Sequence, residues 1–371
     1  FAGLVRPKLV ILENVKGITA PFTENGKKYY AWFEVAKAFA LEGFVPVCML
    51  LNSKYFGVAQ NRPRFILLAI RHDIAHKIYE ITKGTVLSEA FSFYTEVQNN
   101  EENPNNVNQD SLHYYDIESH EELYNGFIFP NMTSPEGSFV SAAEAIGDLK
   151  RIDGKVSFSK SRVVYRDFLN TTFPNPFPKE EKALYNHEPR KHSYDVKARF
   201  RLYQIVNDLK NGNRKIAVEA LLGKELGKDE LTNLASELAG HEIYIKNGSP
   251  NEYYKILSEP NDVKKYLKSI TTKKHSQRAL IEDEPAPAQL TIPDDVCHYD
   301  ITQLRTLTVR EMARFQSFPD WFRFRSKVTT GGTSRKFEVP QYTQVGNAVP
   351  PLLAKALGDT LINIIKESVD K

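Results

Sequence analysis

The side chains best placed to do chemistry come early in the chain. Pro7-Lys8-Leu9-Val10-Ile11-Leu12 is an aliphatic run that ends in Glu13-Asn14-Val15, a carboxylate and an amide followed shortly by Gly17. A short apolar run bounded by turn-formers predicts a strand buried on both faces, as in a parallel sheet, and the C-terminal tips of such strands are where α/β sheets meet ligands. Glu13 and Asn14 are therefore candidate substrate contacts, with a carboxylate that caps the next turn as the competing reading. Downstream, Gln60-Asn61-Arg62-Pro63-Arg64 sets two arginines two residues apart at the entry to another apolar run, so that both project to one side. Such a pair suits a bidentate clamp on a phosphate or base oxygen, or a surface bridge to carboxylates.

The elements that must carry these residues alternate in type. After the first strand comes a polar loop with Gly26, then a helix over Lys28 to Glu42, where Trp32, Val35, Ala36, Phe39 and Ala40 recur at helical spacing before Gly43. Val45 to Leu51 and Phe65 to Ile70 read as further strands, which makes the region α/β. Ser141-Ala-Ala-Glu144 and Thr308-Val-Arg-Glu311 are capping boxes that open helices. Val196 to Lys210 and Lys215 to Ala239 have helical patterns, and basic residues there and at Asn186-His187-Glu188-Pro189-Arg190-Lys191-His192 could contact phosphates and base edges, or form a solvated helical surface. Gly346-Asn347 predicts a tight turn, and Pro350-Pro351 presets the first turn of a closing helix whose N-terminus could hold polar cofactor atoms.

Composition narrows the class. With 41% hydrophobic and 26% charged residues the chain has the balance of a globular protein, and no segment reads as a membrane span or an export signal. The two cysteines, Cys48 and Cys297, exclude a disulfide framework, and no Cys/His cluster has metal-ligand spacing, so no metal is expected. Charge is uneven: His72 to Val140 holds 12 acidic and 2 basic residues, leaving +13 on the remainder. A basic body suits a polyanionic partner, and the acidic stretch, Asn-rich around Gln98 to Asn106, reads as an insertion with a flexible tip.

Taken in order, Glu13-Asn14-Val15, Gln60-Asn61-Arg62-Pro63-Arg64, Leu307 to Asp320, and Gln344-Val345-Gly346-Asn347-Ala348-Val349-Pro350-Pro351 resemble motifs of the C-terminal two-thirds of bacterial DNA (cytosine-5) methyltransferases. The resemblance implies part of a Rossmann-like, S-adenosyl-L-methionine-dependent sheet plus a separate target-recognition domain. It divides the chain into a catalytic core portion (1–71), the acidic insertion (72–140), the target-recognition domain (141–302) and C-terminal motif helices returning to the core (303–371). It implies that Glu13 binds N3 and the exocyclic amine of a cytosine flipped out of double-stranded DNA, with a raised pKa. Arg64 would hold the base O2 with Arg62 in support, Asn14, Gln60, Arg190 and Lys191 would touch the DNA or target base, and Asn347 and Ala348 would line the cofactor.

The family's glycine-rich cofactor loop and its Pro-Cys-Gln nucleophile segment have no counterpart here, and neither Cys48 nor Cys297 has that context. The resemblance therefore implies a chain inactive alone, whose partner is the missing N-terminal segment on the same or a separate polypeptide. It also implies a cytoplasmic, nucleoid-associated location in a bacterium and a restriction-modification setting. The alternative is a non-catalytic, sequence-specific DNA-binding module.

Overall fold

The computed structural model describes residues 1–24, 26–152, 155–156, 164–177, 184–245, 253–330 and 337–369. They fall into two compact units, Phe1–Phe139 with Pro350–Lys371, and Val140–Val349.

In the first unit, α1 (Ala2–Val5) precedes β1 (Leu9–Val15). A hairpin follows, β2 (Pro21–Glu24) and β3 (Lys27–Tyr30), where a polar loop was expected. Gly26 takes φ +77° at its turn, which an L side chain rarely adopts, and Phe22 stacks on Tyr29 across it. Then come α2 (Ala31–Leu41), β4 (Phe44–Asn52), β5 (Gln60–Asn61), β6 (Pro63–Arg71), α3 (His72–Thr82), α4 (Thr85–Asn99) and β7 (Tyr114–Asp116).

The main sheet runs β1-β6-β4-β7. Strand β6 is antiparallel to both β1 and β4, while β4 and β7 are parallel, so three strands share one direction around a single reversed strand. All nine residues of β4 are buried, as a strand covered on both faces requires. β1 departs from the expectation of a central, fully buried strand: it sits at the edge of the described sheet, and its seven residues are half-buried or exposed. With a neighbour on one side only, its apolar residues are half covered.

Trp32, Phe33, Ala36 and Ala40 of α2 and Phe93 and Val97 of α4 share one core with Cys48, Leu50, Phe65 and Leu67. The acidic stretch is therefore no loose insertion. Its α4 and the following Val107 and Leu112 complete the core of the first unit, and β7 extends the sheet. The charges remain: Asp73, Glu80, Glu89 and Glu96 lie on α3 and α4, and the other eight acidic residues follow α4.

The second unit is mostly helical: α5 (Ala142–Ile146), the pair β8 (Arg151–Ile152) and β9 (Lys155–Val156), α6 (Val164–Thr172), α7 (Tyr194–Val206), α8 (Asn211–Leu221) and α9 (Lys228–Leu238). The pair β10 (Glu242–Tyr244) and β11 (Tyr254–Ile256), α10 (Pro260–Ser269), and the short strands β12 (Arg278–Ala279), β13 (Ala286–Pro287) and β14 (Val296–Cys297) follow. α11 (Val309–Phe315) and α12 (Gln341–Asn347) complete it, and α13 (Pro351–Val369) belongs to the first unit. The single helix expected over Lys215 to Ala239 is two, broken where Gly223 takes φ +95°. The boundary expected at 302/303 is absent: 303–349 packs with 140–302, and only 350–371 joins the first unit.

Candidate active site

Strand register brings the early carboxylate to the second arginine. Val15 pairs with Arg64 and Glu13 with Ile66, so Glu13 and Arg64 are diagonal neighbours on one face of the sheet. Arg64 Nε lies 2.7 Å from Glu13 Oε1, and its Nη1 donates to the Pro63 carbonyl at 2.8 Å. The Glu13 side chain is 30% exposed and that of Arg64 10%, so a fixed arginine holds a carboxylate that still faces outward.

Arg62 is 3% exposed. Its backbone is pinned by Ser53, whose amide and hydroxyl both donate to the Arg62 carbonyl, and by Asn52, whose Oδ1 accepts from the Arg62 amide at 3.0 Å. Burial lowers the Arg62 pKa to about 10, and the like charge of Arg64 adds to the shift. Arg64 is lowered by burial too, with Glu13 pulling the other way. Two desolvated guanidiniums around one carboxylate disfavour each other, an arrangement typical of functional sites.

Asn52 is the residue that sequence reasoning missed. Its amide Nδ2 donates to Asn61 at 2.7 Å and to Glu118 at 3.1 Å, while Oδ1 holds Arg62, so one buried side chain fixes the whole loop that presents the arginines. A polar residue closing a nine-residue apolar strand was the available signal. Gly57, at φ +73°, ends the intervening turn, and a Cβ there would meet Leu352 and Thr133 at 3.5 Å. Asn14 is exposed, its Oδ1 accepting from the Val15 amide, and Gln60 is fully buried, its amide donating to the Val58 carbonyl.

The remaining candidates lie in the second unit. Arg190 bridges to Asp294, and Lys191 is exposed. Gly346-Asn347 does not form the expected tight turn: Asn347 ends α12 with its side chain exposed, and Ala348 is extended before the prolines. Gly346 is inside the helix, where an added Cβ would lie 2.6 Å from the Leu290 carbonyl oxygen, so glycine is needed there for close packing. Arg199, Arg201 and Arg214, on or near helices whose basic residues could meet phosphates or solvent, donate instead to the carbonyls of Ile270, Glu242 and Val206 respectively. They fasten the unit together.

Around α11 the capping box is present as expected, and Glu311 also takes a bidentate pair from Arg305 at 2.8 and 2.7 Å. Arg314 binds both Asp148 and Asp320, and Arg310 donates to three backbone carbonyls. The two cysteines are fully buried, and burial pushes both thiols far up from their ordinary pKa. Among the described residues no group of three or more His, Cys, Asp or Glu is placed to hold a metal ion.

Residues 4–363 match the C-5 cytosine-specific DNA methylase family, and the chain belongs to that family. It is 22% identical over 99% of its length to the type II methyltransferase M.DdeI of Desulfomicrobium norvegicum, spanning 67% of that protein. Over shorter stretches it is 32% identical to M1.HphI of Haemophilus parahaemolyticus, covering 36% of this chain and 31% of that one. A 60-residue stretch is 52% identical to M.BsuRI of Bacillus subtilis, covering 16% of this chain and 14% of that one.

Proposed function

We propose that this chain is the base-activating and target-reading portion of a DNA (cytosine-5) methyltransferase that acts on a cytosine swung out of the duplex. The observation that carries the reading is the Glu13–Arg64 pair, fixed by strand register and backed by buried Arg62. C5 and C6 of a stacked cytosine are out of reach, so the base must leave the helix. Addition of a nucleophile at C6 needs the ring to accept electron density. Glu13 supplies or shares a proton at N3 and accepts from the exocyclic amine. Arg64 donates to O2, and the positive potential of Arg62 and Arg64 stabilises charge developing on the ring.

Neither thiol of this chain suits the attack, because each is buried and held protonated. The nucleophile therefore comes from a segment outside these 371 residues, on the same or a separate polypeptide. S-adenosyl-L-methionine, when bound, supplies the methyl group. The exposed side-chain amide of Asn347, next to the extended backbone of Ala348, offers hydrogen-bonding groups for one wall of such a pocket. The second unit reads the DNA, and its excess of 34 basic over 27 acidic residues suits a polyanion, whereas the first unit has 15 and 19.

The test is transfer of a labelled methyl group to cytosine-containing duplex DNA by this chain supplied with the cysteine-bearing segment. Glu13→Gln should lower the rate by roughly 10²- to 10⁴-fold, the usual worth of a positioned acid–base group, with DNA affinity kept. Absence of transfer in the reconstituted wild type, together with tight site-specific binding, favours a non-catalytic DNA-binding module instead.

A further inference from the structure

We propose that the ridge formed by the end of α10 and the loop after it is a sequence-independent track for the phosphate backbone of duplex DNA. The inference deepens the DNA reading above and rests on it. From Val263 to Ile281 the chain carries six basic residues, Lys264, Lys265, Lys268, Lys273, Lys274 and Arg278, and no Asp or Glu. All six are exposed. α10 buries Val263, Tyr266 and Leu267 in the core of the second unit, which leaves its lysines on the outer face.

The loop is built rather than loose. Arg199 donates to the carbonyls of Ile270 and Thr271 at 2.8 and 3.0 Å, and the Thr272 amide donates to the Leu221 carbonyl at 2.8 Å. Ser276 Oγ donates to Asp295 at 2.7 Å, Gln277 Nε2 to the Asp294 carbonyl at 2.8 Å, and the Arg278 amide to the Asp295 carbonyl at 2.9 Å. Cations on a pinned backbone lose little entropy when they meet phosphates.

Local carboxylates do not use up this charge. Asp294 is shared by Lys274 and Arg190, and Asp295 is taken by Ser276. Lys265 pairs with Asp262 at 3.7 Å and Lys268 with Glu225 at 3.3 Å, both through exposed side chains of the kind that contribute little. Lys264, Lys273 and Arg278 have no carboxylate within 4 Å among the described residues. The helix dipole accounts for a lysine in the last turn of α10, such as Lys268, but not for Lys273 or Arg278 beyond it. The ridge exposes no Phe, Tyr or Trp, since Tyr266 is buried, so it lacks the stacking platform that single strands use. Phosphates of a duplex fit what remains.

The experiment measures the affinity of the full chain for unrelated duplexes between about 50 and about 200 mM salt, the range over which counterion release dominates. The double variant Lys264→Gln, Lys273→Gln should flatten the slope of log K against log salt by about 1.8, roughly 0.9 for each phosphate left unneutralised, equally on every sequence. The control pair Lys83→Gln, Lys366→Gln, exposed on the first unit, should leave the slope unchanged, and thermal melting should match the wild type for all four single changes. An unchanged slope in the first pair, or an equal fall in the control, overturns the ridge. So does tighter, equally ridge-dependent binding of single-stranded DNA or duplex RNA. Failure of the wild type to bind any duplex would instead overturn the DNA reading itself.

Discussion

Glu13–Arg64 and Glu311–Arg305 are the same chemical pair in opposite settings. Glu311 is fully buried, receives two guanidinium hydrogen bonds, and closes the N-terminus of α11 through the Thr308 amide at 2.8 Å. Burial opposes its ionisation, but the Arg305 charge outweighs that and holds the carboxyl well below the usual carboxylate range. Glu13 is held by Arg64 at one oxygen on a half-covered edge strand. A fully enclosed pair serves the fold, and the proposed function assigns the half-open pair, with buried Arg62 nearby, to an arriving base. Substitution on each side tests that contrast.

The largest effect belongs to Glu311→Ala. Removing one partner of a buried pair strands the other charge, which costs about 3–5 kcal/mol, and here a helix cap goes with it. Urea unfolding of the second unit should move by that amount. A variant as stable as the wild type would erase the distinction between the two pairs. Gly346→Ala should follow at about 1–3 kcal/mol, because the added methyl meets the backbone of Leu290 and Thr291, which cannot rotate away.

Acid lability should also concentrate in the second unit. His298 is fully buried, with Nδ1 accepting from the Asp300 amide at 3.0 Å, and burial lowers its pKa to about 3 against the pull of Glu311. His192 is lowered to about 4 by burial and by Arg190. Both values lie below the roughly 6.5 of an unfolded histidine, so the unfolded chain binds more protons in between. Stability is therefore fully present above about pH 6.5 and lost as pH falls toward the folded values. Below the ordinary carboxylate range Glu311 adds to the loss, as does Asp300, which its bonds from Lys150 and Thr302 hold at about 2 despite burial. Replacing His298 by Gln should reduce the slope of stability against pH by up to one proton, about 1.4 kcal/mol per pH unit. An unchanged slope would mean that the buried ring is not what acid attacks.

Local features were more legible in the sequence than the supporting frame. Glu13 at a strand tip, the paired arginines and both capping boxes were legible because each depends on neighbours close in sequence. The uses of Arg199, Arg201 and Arg214 were not, since a helical arginine aimed at a phosphate and one aimed at a carbonyl far along the chain look alike in sequence. Strand β7 and α4 were hidden for a related reason: net acidity masked Phe93, Val97, Val107 and Leu112, whose inward faces appear only once the sheet is assembled. Gly346 read as a turn glycine, and only the Leu290 backbone shows that it is a contact glycine.

The smallest stability effect should be that of Glu13→Gln, and it decides the comparison. The amide keeps the volume and an acceptor for Arg64 Nε, and the pair it weakens is partly solvated, so unfolding of the first unit should move by less than about 1 kcal/mol. Arg64 would keep its bond to the Pro63 carbonyl and lose the counter-charge but not its hydrogen bonds. A loss as large as that expected for Glu311→Ala would make Glu13 a structural carboxylate after all, and the drop in methyl transfer would then report a damaged fold. A near-neutral stability change with transfer lost and DNA affinity kept separates the two roles, because the carboxylate would then matter only when a base is in front of it.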